Sequence, residues 1–325
     1  MSPSDRRPGR PLPDAILRRL SLPVIAAPML RVSGPELVIA ACRSGVIGAF
    51  PTANARTVEE LDEWLTLIER ALKEATPAAA PHCPNLIIRQ PRFKDDLACL
   101  VRHRVEVVIT SVGSPAAAVG PLHDVGTQVF ADIASLRHAE KAIEAGADGL
   151  ILLTAGAGGQ TGWANPFAFV RAVRAMFDGP IVLAGGVSDG ASLHAARVLG
   201  CDLAYMGTRF IATTESRAND RYKDMLVASS LDDVMLTRAF TGLDASMLRP
   251  SIEAAGLDPL RLDEQVSEER AKQHYGGGGG ASDRPKRWTD IWSAGHSVSG
   301  VDGIVDAATL ISRLVGEYEA SRARS

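Results

Sequence analysis

The order of apolar runs is what most limits how this chain can fold. Between Leu20 and about Phe210, eight short, β-branched-rich segments alternate with stretches of helical periodicity. They fall at residues 24–28, 46–50, 85–89, 105–110, 127–131, 149–153, 181–184 and 203–206. Several are apolar at every position, the pattern of strands covered on both faces. Eight strands joined by crossover helices predict an α/β fold, a (β/α)8 TIM barrel.

The intervening helices carry their own start signals. Thr57 with Glu60 forms a capping box, and Ser114-Pro115 and Asn165-Pro166 each set a capping oxygen before a preset first-turn φ. Val58, Leu61, Leu65, Ile68 and Leu72 share one face of the helix expected over 57–75, which should lie against the barrel exterior. The predicted organisation is a disordered leader over 1–13, the barrel over 14–211 and a small, mostly helical post-barrel lobe or lid over 212–275. A glycine-rich linker over 276–287 follows, opening with Gly276–Gly280, and 288–325 forms a C-terminal segment whose helix, about 302–322, packs back on the barrel.

Composition narrows the function classes. A net charge of −3 with 22% charged residues gives no electrostatic reason to expect nucleic acid or anionic membrane. No apolar run reaches bilayer length, and Cys42, Cys83, Cys99 and Cys201 are scattered without a C-x-x-C pair, so neither a zinc site nor a disulfide framework is expected. A cytoplasmic protein acting on small molecules, without a metal, is the expectation; nothing in the sequence sets its oligomeric state.

Active sites of such barrels form at the C-terminal ends of the strands, and the loops after strands seven and eight commonly hold a phosphate. Both loops here are glycine-rich. Ala184-Gly185-Gly186-Val187-Ser188-Asp189-Gly190 follows the seventh strand, and Met206-Gly207-Thr208-Arg209-Phe210 ends the eighth. Gly185, Gly186, Gly207 and Thr208 are the candidate phosphate ligands, with Arg209 adding charge. The sixth strand runs into Thr154–Trp163, where Gly158 and Gly159 expose backbone to a planar ring, Gln160 offers a donor and an acceptor, and Trp163 forms a wall; the same glycines serve equally in a tight loop. Met29, after Ala27-Pro28, either presents its backbone N–H and sulfur to the ring or is core. Asn85 either reads a ring's donors and acceptors or edges a strand, and His82, at the strand's opposite end, is structural.

Taken together, APM at 27–29, AGGVSDG at 184–190, GTRF at 207–210 with Thr213-Thr214-Glu215-Ser216, and WTDIWSAG at 288–295 resemble the nitronate monooxygenase (2-nitropropane dioxygenase) family from about Leu20 to Glu317. The resemblance implies an FMN-dependent flavoprotein that oxidises alkyl nitronates or a similar carbanion-like small substrate with O2. It implies that Met29 faces the flavin edge, Asn85 hydrogen-bonds it, and Gly185, Gly186, Gly207 and Thr208 bind its phosphate. Two alternatives stay open: an NAD(P)H-dependent flavin reductase or dehydrogenase of an enoyl thioester or activated alkene, with NAD(P)H bound transiently, and a non-catalytic flavin-binding barrel. Family members carry a histidine where this chain has Gln160, and an amide takes no proton near neutral pH. His296 is the candidate replacement. After strand five a basic residue is expected and Asp132 stands there, either near the flavin pyrimidine or capping the next helix.

Overall fold

The structure is a computed structural model that describes residues 9–276 and 285–324. In chain order its strands are β1 (Val24–Ala26), β2 (Ile47–Pro51), β3 (His82–Ile87), β4 (Val107–Ser111), β5 (Gln128–Ile133), β6 (Gly149–Leu153), β7 (Gly159–Gln160), β8 (Ile181–Ala184), β9 (Leu203–Met206), β10 (Val234–Thr237) and β11 (Ala245–Leu248). Eight of them close a parallel barrel in the order β1-β2-β3-β4-β5-β6-β8-β9, with β9 paired back onto β1. All eight expected barrel strands are present. The third starts earlier than expected, because Pro84 does not end it but sits in register with Phe50 of β2.

Alternation along each strand sorts side chains into an interior and an exterior set. Inside lie Ile25, Ile47, Ala49, Cys83, Val107, Ile109, Phe130, Ile151, Val182 and Leu203, all buried. Phe130 fills the barrel because Gly149, opposite it on β6, has no side chain: a Cβ there would meet the ring at 2.8 Å. Outside, Leu61, Leu65 and Ile68 of the helix Val58–Lys73 pack with Phe50, Leu86 and Val108. Thr57 caps that helix, accepting from the Glu60 N–H, but the expected capping box does not close: the Glu60 carboxylate accepts from the Arg56 N–H instead of from Thr57.

Of the expected leader, residues 1–8 lie outside the described set. Within it Leu12 does not fray but is buried in the interior cluster, beside Ile16 on the short helix Asp14–Leu17 that follows. The post-barrel segment is also less helical than expected. It holds the helices Asp220–Ala228, Arg249–Ala254 and Glu268–Tyr275, but also an antiparallel hairpin of β10 and β11, to which β7 adds a third strand. Thus the loop leaving the sixth barrel strand is tied into the lobe. Gly242, at φ +78°, permits the turn inside the hairpin, where any Cβ would fall 2.3 Å from the Glu268 nitrogen. Most of the glycine run, residues 277–280, lies outside the described residues. The closing helix Ala307–Arg322 packs on the helices Gly190–Leu199 and Pro35–Arg43, and its Glu317 carboxylate accepts from the Gly190 N–H. Among the described residues no helix is long and apolar enough to cross a membrane.

Candidate active site

At the C-terminal ends of the barrel strands opens a pocket of about 340 Å³. Its floor is the last inward-facing layer of the barrel: Pro51, Asn85, Ser111, Asp132, Leu153, Ala184 and Tyr205. Directly below this layer the interior is apolar, down to Gln128 at the other end of β5; at it the sequence turns polar. The walls come from the loops after β1, β6, β8 and β9, and the lobe and C-terminal segment supply Tyr222, Thr241, Arg287, Trp288, Trp292 and Ser293. Trp292 stacks on Tyr222 with ring centroids 5.0 Å apart, and the Tyr222 hydroxyl donates to the Ser293 carbonyl, so this side of the pocket is fixed.

Four of the expected phosphate ligands, Gly185, Gly186, Gly207 and Thr208, line one end of the pocket. The N–H groups of Gly185, Gly186 and Gly207 have no protein acceptor among the described residues, which leaves three backbone donors for an anion. Gly185 is at φ +127°, and a Cβ on it would lie 2.4 Å from Thr154 Oγ1. The glycine requirement is therefore geometric. Thr208 Oγ1 accepts from Gly295 N at 2.9 Å and keeps its own proton to donate. Arg209 does not serve the anion; its guanidinium donates to the Gly300 carbonyl and is absent from the lining.

Gly158, Gly159 and Gln160 line the opposite wall. A Cβ on Gly158 would stand 2.7 Å from Gly295 N, so the loop after β6 and the C-terminal segment are in backbone contact there. Gln160 pairs with Ala245 through β7 and reaches the mouth. Met29 and Asn85 also line the pocket, but the Met29 N–H is already donated to Ser33 Oγ at 3.0 Å, so only its side chain is free to meet a ring. Asn85 and Ser111 hydrogen-bond each other across β3 and β4, Nδ2 to Oγ at 3.0 Å. Trp163 is 79% exposed and builds no wall; Trp288 and Trp292 do that instead. His296 lies outside the lining, exposed, its ring against Gly156. At the barrel's other end His82 is buried, and burial pushes its imidazole down to about 4, in keeping with a neutral structural histidine.

Asp132 is the residue whose placement differs most from expectation. It does not cap the following helix: Ser135 does, accepting from the His138 N–H at 3.2 Å. Asp132 instead continues the inward series Gln128, Phe130, Asp132 and reaches the pocket floor. Its Oδ1 is buried without a hydrogen-bond partner, as is the Tyr205 hydroxyl, and no cation pairs with it among the described residues. Burial without a counter-charge pushes its carboxyl up to about 7. Arg287 at the mouth donates to the Phe240 carbonyl at 2.8 Å and forms no salt bridge among the described residues; partial burial lowers its pKa. Sequence reading found neither Arg287 nor Tyr205, since an arginine beside a glycine run and a tyrosine in a barrel strand carry no spacing signal.

Comparison with known proteins fixes the family. The sequence profile of the nitronate monooxygenase family matches residues 15–317. The chain belongs to that family. Nitronate monooxygenase from Paraburkholderia phytofirmans is 28% identical over 280 residues, covering 73% of this chain and 76% of that protein. A Rhodococcus jostii protein named (3aS,4S,5R,7aS)-5-hydroxy-7a-methyl-1-oxo-octahydro-1H-indene-4-carboxyl-CoA dehydrogenase is 29% identical over 230 residues, covering 71% of this chain but 63% of its own length. Among solved structures, FabK from Thermotoga maritima superposes with a TM-score of 0.80 at 24% identity over 96% of this chain and 98% of that one. Nitroalkane oxidase from Streptomyces ansochromogenes does so at 0.77 and 23% over 96% and 100%. These likenesses support the barrel architecture, and membership of the nitronate monooxygenase family makes this chain a flavin-dependent oxidoreductase.

Proposed function

We propose that this nitronate monooxygenase family member binds FMN and oxidises small, carbanion-like substrates such as alkyl nitronates with O2. The observation that carries the reading is the pairing, in one pocket, of an anion cradle at Gly185, Gly186 and Gly207 with a polar floor at Asn85, Ser111, Asp132 and Tyr205. Phosphate and ring ends of one flat ligand fit these two regions. FMN, when bound, supplies the two-electron acceptor that O2 then restores.

The chain's own residues hold and orient. The Gly185, Gly186 and Gly207 N–H groups and the Thr208 hydroxyl bind the phosphate. Asn85 and Ser111 would present donors and acceptors to the ring, and Gly158, Gly159 and the Met29 side chain would border it. Gln160 positions the substrate without taking its proton. Arg287, a charged group at an otherwise apolar rim of Trp288 and Trp292, attracts an anionic substrate such as a nitronate.

A second reading is favoured by the Rhodococcus relative, whose name records a CoA-thioester dehydrogenase: a nicotinamide-dependent flavin reductase or dehydrogenase of an activated carbonyl compound. Oxygen consumption separates the two. Uptake on adding propyl-2-nitronate, with no requirement for NADPH or NADH, supports nitronate oxidation; turnover that needs the nicotinamide supports the second. FMN bound tightly without turnover of either kind would leave a binding protein.

A further inference from the structure

On the flank of the barrel, away from the pocket, one group of side chains matches the donor set of a transition metal. The helix Phe93–His103 carries Cys99 and His103 one turn apart on the same side, and the neighbouring helix Val58–Lys73 brings Asp62 to them. The Cys99 sulfur, a His103 ring nitrogen and an Asp62 carboxylate oxygen all lie within 4.8 Å of one another. His103 Nε2 is 3.1 Å from Asp62 Oδ1, and Cys99 Sγ is 3.7 Å from the same oxygen. Sulfur, nitrogen and oxygen ligands bonded tetrahedrally to Zn2+ stand about 3.3–3.8 Å apart. Two of the three edges are therefore close to the required length.

His103 is also held as a metal ligand is held. Its Nδ1 lies 3.0 Å from the Glu69 carboxylate, which fixes the ring and, with Nδ1 as the donor, turns the Nε2 lone pair toward Asp62 and Cys99. The Cys99 thiol and the Arg102 guanidinium both donate to Asp62 Oδ1, so a cation takes the place of donors already converging on one point. Arg102 competes for that oxygen, but it is 59% exposed and can turn into solvent without stranding a buried charge. A thiolate and a carboxylate together balance two positive charges. Asp62 is half exposed, which provides an entry route and room for a water in the fourth position. The sulfur ligand selects against Ca2+ and Mg2+, which take oxygen donors.

We propose that Cys99, His103 and Asp62 form a Zn2+-binding site, with Glu69 as the positioning residue of His103, that clamps two neighbouring helices of the barrel's outer ring. On binding, the Cys99 S–H bond breaks, its proton goes to solvent and its electron pair to the metal, with no change of oxidation state. The scattered cysteines offer no chelating pair in sequence; the site exists only because folding brings Asp62 to residues 37 and 41 positions away. None of the four residues lines the candidate active-site pocket, so the inference is independent of the proposed oxidation.

The test is a titration of the untagged, chelator-treated protein with Co2+ under reducing, oxygen-free conditions, read as difference spectra. One equivalent per chain should give a thiolate-to-cobalt charge-transfer band and intense d–d bands beyond the flavin's absorption, the mark of tetrahedral coordination, and Zn2+ should displace both. Cys99→Ser should abolish the charge-transfer band. Glu69→Gln should weaken binding about 10-fold, and His103→Gln and Asp62→Asn by more, each with an unchanged circular dichroism spectrum. Zn2+ should raise the urea midpoint of the wild type but not of Asp62→Asn, whose side chain is exposed enough to be replaced without disturbing the core. Weak d–d bands without charge transfer, a charge-transfer band that survives Cys99→Ser, or equal stabilisation of wild type and Asp62→Asn by Zn2+ overturns the proposal.

Discussion

Replacing Asp132 by Asn should make the flavin-free protein more stable above neutral pH. An acid raised from 3.8 to about 7 on folding binds its proton more tightly in the native than in the unfolded state. Between those values the unfolded chain releases the proton first, so stability falls as pH rises and levels off above about 7. A shift of that size corresponds to about 4 kcal/mol, a ceiling, because water entering the pocket solvates the ionised form. Asn keeps the shape and cannot ionise. Urea unfolding of wild type and variant from pH 4.5 to 8.5 measures the difference directly. The carboxylates held below their ordinary range by hydrogen bonds and cations, Glu59, Asp62, Asp233 and Asp306, contribute with the opposite sign but equally in both proteins, so they cancel. The variant should gain stability relative to wild type with rising pH. A difference that stays flat across this range would refute the buried, unpaired carboxyl at the pocket floor.

Three further outcomes follow from the geometry. Gly185→Ala forces a left-handed backbone on a side chain and displaces the Thr154 hydroxyl from its 2.8 Å bond to the Ala184 carbonyl, a cost of about 3 kcal/mol, whereas Gly186→Ala meets no atom and costs about 1; urea melts and FMN titration check both. All four cysteines are buried, with their thiols pushed up, to about 12 for Cys42 and Cys201 and about 11 for Cys99, so Ellman's reagent should label none in the folded protein at pH 8 and all four in urea. His296→Ala should leave the pH profile of turnover unchanged, because the ring lies outside the pocket; a lost limb in that profile would reinstate it as the replacement for a histidine at 160.

How much of this was legible in the sequence depended on whether the signal was local. Eight barrel strands and the capped helix after Thr57 follow from periodicity and capping, and the placing of Gly185, Gly186 and Gly207 at the pocket could be read because they follow strand ends, where such a barrel opens its site. The β10–β11 hairpin escaped because its two strands are four residues each and stand among helices, and β7 because a two-residue strand in a glycine-rich loop exists only through its partner. Side-chain roles were less legible. Met29 spends its N–H on Ser33 and Arg209 its charge on Gly300, outcomes set by residues four and 91 positions away. Asp132 was the exception that alternation could have resolved: Gln128, Phe130 and Asp132 share one face of β5, and that face points inward.

The most direct test of the account is the visible spectrum of the purified protein, followed anaerobically on adding propyl-2-nitronate. The account predicts a flavin spectrum, released as FMN on denaturation, that the nitronate bleaches and air restores. A colourless protein that takes up no FMN, or a flavin spectrum that nitronate leaves untouched and only NADPH bleaches, would contradict it.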